Sequence, residues 1–283
     1  MRSRISCLAG LIVLALSTQA TGQTRADGKT ADPLVFGFLP IVSSERLVRR
    51  FSPLTEYLSE KLGVEIRMET APDFKSFVQR TDEGKRYDIL FTAPHLYYLA
   101  KQNSDYRAIV RVDRPGMKAV IVTSLTSTIK SIEDLRGRRL ATTDPLALAT
   151  VLARARLEQA GIDPDNDLTL IATPSHNASL LSCYRGTTDA AVLIRPLYLR
   201  ARSEIRDNTR IVAETESVPH MPIAVAPWVD EHVARRLRDI LVNMSDDPQG
   251  RVVLQHLDWP GFVAAQPGDY DGLGPIVDKL GVE

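Results

Sequence analysis

Hydrophobic and polar positions change period repeatedly along this chain. Leu34-Val35-Phe36-Gly37-Phe38-Leu39 is a short apolar run stopped by Pro40, which predicts a buried strand. Ser43 and Ser44 then precede a helical pattern over residues 45–50, and Ser52-Pro53 predicts a restart through Leu54, Tyr57, Leu58 and Leu62, ended by Gly63. Residues 64–69 alternate as a strand does, and residues 74–80 read as a short helix. Tyr87-Asp88-Ile89-Leu90-Phe91 is another strand, and Thr92-Ala93-Pro94-His95 leads into a helix through Tyr97, Tyr98 and Leu99. Strand and helix alternate, which predicts a parallel sheet covered by helices.

The same alternation begins again further on. Strands at 106–112 and 119–123 flank Arg114-Pro115-Gly116-Met117, a turn or crossover. Residues 131–135 read as a capped helical turn, and residues 138–142 as a strand bounded by Gly137. Thr142-Thr143-Asp144-Pro145 then opens a helix in which Asp144 is placed as N-cap, Pro145 as first helical residue and Gly161 as the terminating glycine. A helix start just after a strand directs free N–H groups and a positive dipole end into one crevice, a ready anion site. Strands at 168–171 and 189–193 enclose a helix over 175–185. Strands at 211–213 and 223–226 follow, then helices at 230–244, 249–257 and about 275–280. No internal repeat is evident beyond these two similar α/β halves.

The first residues follow a different rule. Met1-Arg2-Ser3-Arg4 is a positive segment, residues 5–16 are apolar, and small residues stand near position 20. That is the pattern of a secretory signal over residues 1–22, followed by a disordered polar linker over 23–33. Cys7 lies inside the apolar stretch, so the mature chain keeps one thiol, Cys183, which is expected to be buried and inert. The 35 basic and 35 acidic residues cancel, so there is no basic field to favour nucleic acid. A chain of 283 residues is long enough for two lobes with cores of their own.

Several stretches, taken in order, resemble one family. They are Phe36-Gly37-Phe38-Leu39-Pro40, Tyr87 to Pro94, Ser131-Ile132-Glu133-Asp134-Leu135-Arg136-Gly137, Thr143-Asp144-Pro145, Ser175-His176-Asn177-Ala178, Ser217 to Pro222, and Asp269-Tyr270-Asp271. Over about residues 34–283 the chain looks like the phosphate/phosphonate/phosphite-type periplasmic substrate-binding proteins of ABC transporters. The resemblance implies an α/β, two-lobed type 2 periplasmic binding fold. Each lobe would be a mostly parallel sheet flanked by helices, and two crossover strands would join them. Lobe one would hold residues 34–112 and 213–283, and lobe two residues 113–212. Ligand would sit in the cleft between them.

In that family the ligand's oxyanion rests on a lobe-two helix that usually begins Asp-Pro-x-Ser-Thr-Ser-Gly. This chain keeps Asp144-Pro145 but has Ala147, Leu148 and Ala149 where the hydroxyls belong, and Thr150 where the glycine belongs. Ser43 and Ser44 would face the cleft from lobe one. Thr92 and His95 lie just past a strand end, where open α/β sheets bind ligands. Tyr97 matches the family's tyrosine there, although a place in the lobe core is as compatible with its position. His176 and Asn177 fall where the family has its His-Asp pair, and His176 would donate to the ligand.

Two other classes remain to be weighed. A metal protein would gather His95, His176 and His220 with Asp144, but none of these is paired at short spacing. An enzyme would need a nucleophile facing a base; Ser175 and His176 are adjacent, and no Gly-x-Ser-x-Gly elbow is present. The expectation is a monomeric binding protein without catalysis or cofactor. It would capture a small anion and present it to a transporter permease, or to a membrane sensor kinase.

Overall fold

The computed structural model describes residues 32–83, 86–278 and 280. The secretory signal and most of the polar linker lie outside the described residues. The chain runs β1 (Leu34–Phe38), α1 (Ser44–Leu62), β2 (Ile66–Thr70), α2 (Phe74–Asp82), β3 (Ile89–Phe91), α3 (Pro94–Ser104) and β4 (Arg107–Val112). It then crosses to β5 (Ala119–Ser124), a 3-10 turn (Glu133–Leu135), β6 (Arg139–Thr142), α4 (Leu148–Gln159), β7 (Thr169–Ala172), α5 (His176–Tyr184) and β8 (Ala190–Ile194). Next come α6 (Arg195–Leu199), α7 (Ser203–Arg206) and β9 (Thr209–Glu214). The return passes through β10 (Pro222–Val225), α8 (Glu231–Val242), α9 (Pro248–Leu257), β11 (Phe262–Ala264) and α10 (Gly274–Val277).

Two sheets result, in the orders β2-β1-β3-β10-β4-β11 and β7-β6-β8-β5-β9. Each is mixed. β2, β1 and β3 are parallel, as are β7, β6 and β8, while the remaining pairings are antiparallel. The antiparallel halves come from the crossovers. β4 pairs with β10, β5 pairs with β9, and between them Met117 and Val218 exchange hydrogen bonds of 2.7 and 2.9 Å. A two-stranded ribbon therefore runs from one sheet into the other. Its strands approach too closely for a side chain at Gly116, where a Cβ would stand 2.2 Å from Ser217 Oγ and 2.7 Å from the Val218 carbonyl.

The sequence reading differs from the structure at α1. Pro53 lies inside one continuous helix of 19 residues rather than between two. A proline there leaves the Arg49 carbonyl without its helical N–H. His256 Nε2 donates to that carbonyl from α9 at 3.1 Å, and Ser52 Oγ donates to the Val48 carbonyl at 2.6 Å. Phe51, Leu54 and Leu58 then stay on one fully buried face. Aromatic packing of Phe38, Phe51, Phe91 and Trp259 fills the space between α1 and the first sheet. α6, α7 and β11 carry no sequence pattern strong enough to announce them. Among the described residues no helix is long and apolar enough to cross a membrane. Cys183 is buried, its thiol pushed up to about 11 by desolvation, as expected for an inert position.

Candidate functional site

Parallel strands end at one edge of a sheet, so the helices that follow them start there together. α1 and α3 start beyond β1 and β3 of the first sheet; α4 and α5 start beyond β6 and β7 of the second. α2 and α8, by contrast, are capped by the side chains of Asp73 and Asp230. α1, α3 and α4 have no side-chain cap at Ser43, Ala93 or Ala147. Their first-turn N–H groups are left for another partner.

The start of α4 is not as the spacing predicts. Asp144 is not its N-cap and Pro145 is not its first residue. Asp144 Oδ1 accepts from Leu146 N at 2.8 Å and its carbonyl accepts from Ala147 N at 2.9 Å, closing a tight turn before the helix. Two residues of turn chemistry outcompete the cap. The helix begins at Leu148, with Ala147 as N-cap. Its end does match: Gly161 has φ of 72°, and Ile162 N reaches back to the Leu157 carbonyl at 2.9 Å. Ala147, Leu148, Ala149 and Thr150 are all buried.

His95 is what meets this turn. It is 0 % exposed, and its Nε2 lies 2.9 Å from the Leu146 carbonyl. His95 belongs to α3 and Leu146 to the segment entering α4, so this hydrogen bond joins the cleft edges of the two sheets directly. A second contact between them is peripheral: Arg200 beyond α6 pairs with Asp258 beyond α9 at 2.9 Å, with both side chains mostly exposed. Burial holds the His95 imidazole well below its ordinary range, at about 4, opposed only by the Leu146 carbonyl.

At and near the helix starts the protein leaves polar atoms without partners. His95 Nδ1, Thr143 Oγ1, Thr150 Oγ1 and His176 Nδ1 are buried and unpaired. Such atoms are rare in a finished interior and call for an explanation. Thr150 is the more telling because a helical threonine ordinarily bonds the carbonyl four residues back, which here is Leu146, already engaged by His95. Thr143 and Thr150 thus supply hydroxyls near positions where Ala147, Leu148 and Ala149 have none. His176 is held low by desolvation, offset in part by the Val192 carbonyl. Asn177 beside it is exposed on the first turn of α5, as are Ser43 and Ser44 on α1.

Two expected site residues, Thr92 and Tyr97, are buried against the first sheet. The Tyr97 hydroxyl accepts from Ala108 N at 3.0 Å and its ring stands edge-on to Tyr270, so it braces the first sheet while its O–H proton stays free to donate. Thr92 falls on the sheet face that Leu90 occupies and borders a small void among Phe77, Leu96 and Leu99; its buried Oγ1, like those of Thr143 and Thr150, has no partner. The metal grouping does not form either. His220 Nδ1 accepts from Met221 N at 2.9 Å on the crossover, and among the described residues no three His, Cys, Asp or Glu side chains gather for a metal ion. The Leu146 carbonyl was not legible in the sequence, since a backbone oxygen carries no residue signature.

A cavity of about 300 Å³ lies along α4 between Leu152, Arg156, Glu216 and Leu273, facing the second crossover. None of its lining residues has a buried unpaired polar atom, which separates it from the helix starts.

Two sheets joined by a paired ribbon, with helix starts converging between them, give a fold built for capture. The family model of the phosphonate periplasmic substrate-binding proteins of ABC transporters matches residues 36–270. The chain belongs to that family. It is 22% identical over 277 residues to the phosphonates-binding periplasmic protein of Escherichia coli K12, covering 92% of this chain and 80% of that protein. Among solved structures, a Xanthomonas citri protein bound to chloride ion aligns with a TM-score of 0.78 at 20% identity, over 88% of this chain and 98% of the other. The Prochlorococcus marinus protein PhnD1 in complex with methylphosphonate aligns with a TM-score of 0.77 at 18% identity, over 89% and 99%. The family's members are substrate-binding components of transporters, and its periplasmic location makes this an exported protein.

Proposed function

We propose that this protein captures a small phosphonate-like oxyanion between its two sheets and hands it to the membrane permease of an ABC transporter. Residues 34–112 with 222–283 form one lobe and residues 119–214 the other, since β9 runs on to Glu214 in the second sheet and the expected boundary at 213 would cut it. The ribbon through Met117 and Val218 is the hinge. The observation that carries this reading is the set of buried unpaired atoms at the helix starts, Thr143 Oγ1, Thr150 Oγ1, His95 Nδ1 and His176 Nδ1. A ligand contacted from both sides favours the closed arrangement because only closure brings both sides to it. The uncapped first turn of α4 supplies N–H groups and dipole for the negative oxygens. Ala147, Leu148 and Ala149 add an apolar wall suited to a carbon substituent. Removal of the N-terminal signal precedes this role; intact mass of the exported protein is expected to lack Met1.

Thermal shift followed by calorimetry with methylphosphonate, phosphite and phosphate tests the reading. A ligand at about a hundred times its dissociation constant adds about 2.7 kcal/mol to stability. At least one of these anions is expected to raise the midpoint and to bind with one-to-one stoichiometry. Silence across the whole series overturns it.

A further inference from the structure

The proton on His95 is assigned by its neighbour. A carbonyl oxygen can only accept, so the 2.9 Å contact with Leu146 places the proton on Nε2. A neutral ring with its proton there presents a lone pair at Nδ1. That atom is buried, and no hydroxyl, amide or cation among the described residues reaches it. A buried acceptor without a donor is costly, about 1–3 kcal/mol. The surrounding elements offer no relief. Asp144 on the facing turn is occupied by Leu146 N, and Thr150 on α4 is itself unpaired. On α3 the Tyr97 hydroxyl accepts from Ala108 N and does not come within hydrogen-bond reach of Nδ1, and His176 on α5 ends in a second unpaired Nδ1. No charged side chain contributes to the state of His95, which stays neutral throughout the neutral range.

An anion site that contains a fixed acceptor selects among anions. A fully ionised oxyanion brings only acceptors and would set a lone pair against a lone pair. An anion that retains one proton brings the missing donor. We infer that His95 selects for the protonated form, so that the protein takes a phosphonate as its monoanion, with the P–OH group donating to His95 Nδ1. The dianion, and a sulfonate of the same shape, are disfavoured. Loss of family hydroxyls at Ala147, Leu148 and Ala149 points the same way, since fewer donors suit a ligand of lower charge. This inference rests on the proposed function and deepens it.

Calorimetry on the exported wild-type protein, with methylphosphonate and methanesulfonate at about pH 6 and about pH 9, is the test. The second ionisation of phosphoryl oxygens lies near neutrality, so these conditions change the ligand from partly monoanionic to dianionic. Methylphosphonate is expected to bind about tenfold or more tightly at the lower pH, and methanesulfonate at least tenfold more weakly than methylphosphonate there. His95→Phe, which has no acceptor, should reduce the pH ratio to less than about twofold. Equal or tighter phosphonate binding at the higher pH, or matched binding of the sulfonate, overturns the inference while leaving the proposed function standing. Absence of binding by both anions at both pH values while phosphite or phosphate binds also overturns the inference; only silence across all of these anions overturns the proposed function.

Discussion

Thr150 can be separated into its structural and ligand-binding parts. Its hydroxyl is buried and bonds nothing in the protein. Thr150→Val keeps the shape and removes the unpaired oxygen, so stability without ligand is expected to hold or rise, by up to about 1 kcal/mol. Affinity for the captured anion is expected to fall, since a hydrogen bond to a charged acceptor contributes about 1.5–3 kcal/mol. Denaturant titration and calorimetry on the same variant check both halves; a loss of stability with unchanged affinity refutes the assignment. Conversely, Ala147→Ser with Ala149→Ser restores two hydroxyls of the family pattern at the start of α4. About tenfold tighter phosphonate binding is expected, with no change if the anion rests elsewhere.

At the scale of elements, the ribbon and α1 make separate demands. Gly116→Ala forces a Cβ into Ser217 Oγ and the Val218 carbonyl. The strands must part, at a cost of about 1–3 kcal/mol, and the effect should appear as a lowered unfolding midpoint and altered affinity together. In α1, His256 replaces the N–H that Pro53 lacks. His256→Ala is expected to cost about 1 kcal/mol with Pro53 present and less with Pro53→Ala, because alanine returns the missing donor. A double-mutant cycle by chemical denaturation measures that coupling; additive effects count against it. The family hydroxyls are visibly missing at 147–149 in the sequence, but that Thr143 and Thr150 nearby carry buried, unpaired hydroxyls is not visible there. Only the turn at Asp144, folded by local hydrogen bonds, decides which side chains surround the helix start.

For the whole molecule, closure and pH are linked through His95. The folded protein holds it neutral down to about 4, whereas the unfolded chain protonates it near 6.5. Between those values the unfolded state binds more protons, so stability is full above the unfolded value and falls as pH drops towards the folded one. The expected loss from His95 is about 3 kcal/mol across that window. Unfolding midpoints measured from about pH 7 to pH 4 should decline, and His95→Asn should decline less steeply; parallel slopes refute this. Small-angle scattering with and without a ligand identified by calorimetry should show a smaller radius of gyration when bound, and identical curves at saturation count against hinge closure.

The alternation of apolar strands and amphipathic helices determined the two α/β halves, their order and most element positions, because burial of one face imposes a period on the sequence. Gly161 and the strand ends before Thr92 and Thr143 were equally local matters, written in turn chemistry. Tertiary structure decided the rest. α1 runs through Pro53 with its buried face held in the core and with His256, about two hundred positions away, reaching its orphan carbonyl. Tyr97 became a brace of the first sheet because Ala108 N came within its reach. His95 acquired its tautomer, and its unpaired acceptor, from a backbone oxygen of the opposite sheet. Contacts of that kind depend on where two distant segments meet, and no periodicity within either segment encodes the meeting.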